Sequence, residues 1–132
     1  MFFEDAYNEG KRNEDDNYIF LKEYFNEPTL KQTKKIFSTF DYNSDNIIIE
    51  LKQRNFDSNK YNDLMIGLNK IEKAKKQKKD IYFIMSLDDG LFSYKYDIND
   101  KLNYRSGGRR DRGLNEFKPY CYIPMELFTK IK

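Results

Sequence analysis

Apolar positions along the chain switch between helical and alternating spacing, and these switches divide it into elements. Within residues 4–25, Tyr18, Leu21 and Phe25 recur at helical intervals while Ile19 and Phe20 widen the apolar stripe. The second half of this stretch is expected to be a helix, closed by Pro28. A short strand is expected over residues 30–34. Residues 36–53 follow as a β-hairpin: an aromatic segment ends at Asp41, Asn43-Ser44-Asp45-Asn46 supplies turn chemistry, and three isoleucines lead into Glu50-Leu51-Lys52.

Beyond the hairpin, Asp57-Ser58-Asn59 offers an N-cap, and Tyr61, Leu64, Met65, Leu68 and Ile71 make one apolar face. This predicts a helix over residues 59–77 with a solvated, Lys-rich end. Residues 80–87 are almost continuously apolar, as in a strand buried on both faces. Asp88-Asp89-Gly90 is a turn, and residues 91–96 return as a strand. Residues 97–115 lose periodicity and carry Gly107-Gly108-Arg109-Arg110-Asp111-Arg112-Gly113, a loop whose arginines suit phosphates. A last strand is expected over residues 117–123, and Pro124 opens a closing helical turn. The resulting fold class is α/β of the α+β kind: a central mixed sheet flanked by helices, in one domain spanning residues 1–132.

The hairpin carries the chemistry. With its turn centred on Ser44-Asp45, Asn43 pairs with Asn46, Tyr42 with Ile47, Asp41 with Ile48, Phe40 with Ile49 and Thr39 with Glu50. Alternation then sends Asp41, Glu50, Lys52 and Arg54 to one face, and Phe40, Tyr42, Ile47, Ile49 and Leu51 to the other. Asp41 and Glu50 become diagonal neighbours roughly 7–8 Å apart at the backbone. A divalent ion bridges two carboxylates at such a separation, with an amine one pleat away.

Composition narrows the chemistry further. The chain has 132 residues, 39% hydrophobic and 35% charged, and its core must draw on 11 Tyr and 11 Phe without any Trp. No histidine is present, which removes His-dependent catalysis and His-ligated metals. One cysteine, Cys121, excludes an internal disulfide and fits a reducing compartment. The acidic start Met-Phe-Phe-Glu-Asp lacks a leader pattern and the apolar runs are too short to span a bilayer. An intracellular protein (cytoplasmic or nuclear) without a membrane partner is therefore expected. Residues 1–27 hold eight acids and three bases, whereas the remainder holds 14 acids and 21 bases. A basic body of this kind suits a polyanion, the alternative being a Lys- and Asn-rich coding bias.

Carboxylates without His or Cys select hard cations, so Mg²⁺ or Mn²⁺ is the expected metal. Such an ion acidifies water and polarises a phosphoryl oxygen, while Lys52 is placed to orient water or offset phosphate charge, and Arg54 to grip a neighbouring phosphate. Glu-x-Lys alone decides little, since it occurs at Glu9-Gly-Lys11, Glu50-Leu-Lys52 and Glu116-Phe-Lys118. Only the middle copy ends an apolar strand and has an acid on the same face of a paired strand.

An acid before a hairpin, an apolar strand ending in Glu-x-Lys, then a helix and a further strand resembles the PD-(D/E)xK nuclease superfamily. The resemblance is to small, single-domain phage and viral members. It implies a restriction-endonuclease-like αβββαβ core with an extra C-terminal hairpin or strand. It places Asp41, Glu50 and Lys52 on the signature positions, with Phe40 where the family name has proline. Gly10-Lys-Arg-Asn-Glu14 is similar to a pattern of archaeal Holliday-junction resolvases, which makes Glu14 a further metal-ligand candidate. By the same resemblance the Leu51 carbonyl ligates the metal and Tyr61 lines the site. Arg54, Tyr61, Arg109, Arg110 and Arg112 are the candidate DNA contacts.

The activity implied is metal-dependent hydrolysis of DNA phosphodiesters, by an endonuclease or a branch-processing enzyme, with a homodimer expected for two-strand cutting. The alternatives are a non-catalytic nucleic-acid-binding protein of the same fold and an assembly protein with a Tyr-rich surface.

Overall fold

The seven residues Ile-Ile-Ile-Glu-Leu-Lys-Gln form the strand on which both cores are built. The computed structural model describes residues 15–33, 40–107 and 118–132. In chain order these form helix α1 (15–24), β1 (Lys31–Gln32), β2 (Tyr42–Asn43), β3 (Ile47–Gln53), β4 (Asp63–Gly67), α2 (Leu68–Ala74), β5 (Asp80–Leu87) and β6 (Gly90–Lys95). β7 (Asn103–Gly107), β8 (Lys118–Pro124), a 3-10 turn over Met125–Leu127 and β9 (Thr129–Lys130) complete them. The arrangement is α+β, consistent with a restriction-endonuclease-like fold. A six-stranded sheet has the order β1-β2-β3-β5-β6-β9, and a second sheet has the order β4-β8-β7. β3 and β5 run parallel, Ile47 opposite Asp80 through Gln53 opposite Ser86, while the other pairs are antiparallel.

Alternation on β3 and β5 creates two cores. Ile47, Ile49, Leu51 and Ile84 pack with Leu21 of α1, Leu30 and Tyr42. Ile48, Ile81, Phe83 and Met85 pack on the opposite face with Leu64, Ile66, Ile71, Ala74, Cys121 and Ile123. Because β3 is covered on both sides, its first five residues are all buried, Glu50 included. Neither core needs tryptophan, because Tyr18 stacks on Tyr42 and Phe83 on Tyr94.

The helix expected over residues 59–77 is instead two elements. Asp63–Gly67 is a strand and only Leu68–Ala74 is helical. Leu64 and Ile66 are buried with partly exposed neighbours between them, so the short run satisfies a period of two as well as a helical one. Pairing with β8, Leu64 opposite Ile123 and Ile66 opposite Cys121, decides for the strand. The expected cap is also redirected: Ser58 donates from its N–H and hydroxyl to Asp89 at 2.9 and 2.6 Å. Residues 103–107, expected as loop, form edge strand β7 through ladder bonds to β8, a contribution that apolar periodicity does not register. In the turn after β5, Gly90 has φ +143°, and a Cβ there would collide with the Lys132 carbonyl.

The hairpin register differs from expectation by two residues. Tyr42 pairs with Ile49 and Asn43 with Ile48, and Ser44 N–H donates to the Ile47 carbonyl, leaving Asp45-Asn46 as the loop. The Ser44 hydroxyl explains the choice. Its oxygen accepts from the N–H groups of Asn46 and Ile47, while the hydroxyl lies 3.1 Å from the buried Glu27 carboxylate. An even shift preserves which face each β3 residue takes. Phe40 is the exception, packing with Ile48 rather than with Tyr42. Its crossing follows from an irregularity at Asp41, whose N–H donates to Ile49, the partner of Tyr42, as at a bulge.

Ser44→Ala is expected to lower the unfolding free energy by about 1–3 kcal/mol, because it strips the turn amides and Glu27 of a buried partner. Asp45→Ala, at an exposed position, is expected to stay within about 0.5 kcal/mol. Urea unfolding of both variants checks this; equal stability losses would contradict the role given to Ser44.

Candidate metal and phosphate site

Glu50 lies on the central strand with its side chain 1% exposed, opposite Phe83 of β5. Such burial disfavours a charge, and the nearby Asp41 carboxylate adds like-charge repulsion, so its pKa is pushed up to about 7. Two ammonium groups oppose both effects. Lys52 Nζ stands 3.2 Å and Lys70 Nζ 3.4 Å from the same oxygen, Oε1. The other oxygen, Oε2, is buried without a hydrogen-bond partner. A carboxylate divided in this way has one oxygen balanced by cations of the protein and one, buried, that no hydrogen bond serves.

Asp41 is brought to the same place by the irregular end of β2. Its Oδ2 accepts from the Leu51 N–H at 2.7 Å, taking the position a ladder carbonyl would occupy. In a strand the N–H and C=O of one residue point to the same side, so the Leu51 carbonyl is directed toward the Asp41 side of β3. Asp45 is in the turn, where its N–H donates to the Thr29 hydroxyl.

The residues singled out by sequence are thus partly assembled. Asp41, Glu50, Leu51 and Lys52 are adjacent. Arg54 follows the end of β3, its N–H bonded to the Ser86 carbonyl and its guanidinium donating to the Gln53 carbonyl. Tyr61 precedes β4 rather than sitting in a helix. It is 49% exposed, edge-on to Phe56, with Lys60 Nζ 5.5 Å from its ring centre. Glu14, Arg109, Arg110 and Arg112 lie outside the described residues.

Sequence reasoning missed Lys70. The long helix expected over residues 59–77 treated its lysines as a solvated face, whereas the shorter α2 turns Lys70 onto Glu50. The clue available was its place between Leu68 and Ile71, at the edge of the apolar stripe.

The donor set fits a hard divalent cation: two carboxylates, one with an unpartnered buried oxygen, and a nearby carbonyl. Among the described residues no three Asp, Glu, His or Cys side chains cluster, so remaining ligands would come from backbone, water and substrate phosphate. Mg²⁺ is commonly held by one or two carboxylates in this manner. Thiolate chemistry finds no support: burial pushes the Cys121 thiol up to about 11.

The raised Glu50 pKa sets a pH dependence. The folded protein holds the Glu50 proton more tightly than the unfolded chain, so stability falls as pH rises from 4.5 to about 7. At pH 8 the ionised carboxylate, even with both lysines beside it, costs about 3 kcal/mol. Metal-free Glu50→Gln is therefore expected to exceed the native protein in stability by up to about 3 kcal/mol at pH 8, and to lose that advantage by pH 4. Urea unfolding across this range measures it; a difference independent of pH would contradict it.

A family model described as phage putative PDDEXK endonuclease matches residues 27–131. No curated protein and no solved structure matches the chain. Among the described residues, no helix is long and apolar enough to cross a membrane. The matched span runs from the residue before Pro28 through β9 and includes Asp41, Glu50 and Lys52, so the chain belongs to the phage PDDEXK endonuclease family.

Proposed function

We propose that this protein is an Mg²⁺- or Mn²⁺-dependent DNA endonuclease whose site is Asp41, Glu50, Leu51 and Lys52. The observation carrying this reading is the divided carboxylate of Glu50: buried, repelled by Asp41, held by ammonium groups at one oxygen and unpartnered at the other. A residue kept so at the centre of a sheet costs stability, and a bound cation offsets that cost.

In this reading Asp41 and Glu50 would hold the ion with the Leu51 carbonyl. Such an ion would supply Lewis acidity toward the phosphodiester and the attacking water. Lys52, 38% exposed and 3.2 Å from Glu50, brings a positive charge to the rim, where negative charge grows on the phosphate during attack. As the water oxygen bonds phosphorus, the bond to the leaving sugar oxygen breaks; the proton lost by water passes to solvent, and the departing sugar oxygen takes one from solvent. Arg54, beyond the end of β3, would grip a neighbouring phosphate, and Tyr61, exposed and beside Lys60, would meet a base or sugar. Outside the described residues, Glu14 is retained as a further ligand and Arg109, Arg110 and Arg112 as phosphate contacts. The family and the basic body support DNA as the partner. A homodimer is the form that would cut two strands.

Cleavage of single-stranded, duplex, flapped and four-way DNA with Mg²⁺ or Mn²⁺ tests this reading. The native protein is expected to cut at least one substrate. Glu50→Ala and Lys52→Ala are each expected to lose about 100-fold or more in rate. DNA binding without cutting under either ion would favour a non-catalytic binding protein, and neither binding nor cutting would favour an assembly role.

A further inference from the structure

Glu50 Oε1 is served twice, and its two ammonium groups are mounted differently. Lys52 belongs to β3 itself, two residues on from Glu50, and is 38% exposed. Lys70 belongs to α2 and is 19% exposed, on a helix whose Ile71 and Ala74 are anchored in the core with Leu64, Ile66 and Cys121. Its charge is therefore held over the carboxylate by a different layer of the fold, whatever Lys52 does.

Two requirements meet at this oxygen. Without a cation, a buried carboxylate beside a second acid needs compensating charge, and one flexible lysine at the rim supplies only part of it. Once a divalent cation occupies Oε2, a second ammonium a few ångströms away is repelled by it. The same repulsion favours moving that ammonium outward, where a DNA phosphate next to the ion carries the opposite charge. Lysine suits both tasks, since its compact charge rides on a rotatable four-carbon stem.

We propose that Lys70 is a displaceable counter-ion of Glu50: it compensates the carboxylate before the divalent cation binds and turns to the DNA phosphate afterwards. This rests on the reading of Glu50 as a metal ligand, and it adds a positioning residue that the Asp41, Glu50, Lys52 set does not contain. The role has a signature that simple structural support lacks, because removing the charge moves ion affinity and turnover in opposite directions.

The test is calorimetric titration of Mn²⁺ into the metal-free full chain at pH 8, paired with DNA cleavage at saturating Mn²⁺. Lys70→Met is expected to bind Mn²⁺ about tenfold more tightly and to cleave about tenfold more slowly, while Lys70→Arg keeps ion affinity within about twofold of the native protein. Thermal melts check folding, and Lys70→Gln carries the same expectation should the Met variant not fold. Mn²⁺ affinity unchanged or weakened in a folded, uncharged variant overturns the proposal while leaving the nuclease reading intact. Native cleavage rates in that variant overturn the phosphate role. Absence of Mn²⁺ binding by the native protein overturns both this proposal and the assignment of Glu50 as a ligand.

Discussion

A carboxylate with 1% exposure on the middle strand of a sheet is the constraint around which this molecule is arranged. Burial and the neighbouring Asp41 both oppose its ionisation, and two lysines from different elements counter them. Removing Glu50 would relieve electrostatic cost and leave the hydrophobic faces of β3 in place, so the residue is hard to explain as a stabilising one. It fits a site that is completed by a cation and a phosphate.

Sheet order delivers the parts of that site. β3 lies between β2 and parallel β5, and the parallel pairing requires a crossover, which β4 and α2 provide. The crossover lays α2 over the face from which Glu50 projects, and this places Lys70 at the carboxylate. On the other side of β3 the ladder to β2 stops after Tyr42, and Asp41 spends its carboxylate on the Leu51 N–H. The end of regular pairing is thus what brings a second acid to the site. Membership in the phage PDDEXK endonuclease family gives this placement a chemical context.

Much of this was legible in the order of residues, and the failures have identifiable causes. Side-chain parity along Ile47 to Lys52 was readable because β-branched runs alternate strictly. The turn centre was not, since Asn43, Ser44, Asp45 and Asn46 are all turn formers and the choice fell to the Ser44 hydroxyl and the distant Glu27. Phe40 crossed to the other face because the pairing becomes irregular at Asp41, whose N–H also goes to Ile49, and alternation fails there. Asp63–Gly67 was ambiguous between periods, and tertiary pairing with β8 resolved it. Lys70 escaped notice for the same reason, since a lysine acquires its partner only once the helix bearing it is placed. The arginine-rich stretch and Glu14 lie outside the described residues.

If Glu50 is kept buried for a divalent cation, that ion should stabilise the folded chain through its carboxylate. Thermal unfolding at pH 8 with increasing Mn²⁺, compared between the native chain and Glu50→Gln, addresses it most directly. The melting temperature is expected to climb with Mn²⁺ in the native chain and to stay flat in Glu50→Gln, as follows when the ion binds only the folded state through that carboxylate. Equal stabilisation of both proteins, or of neither, would contradict it.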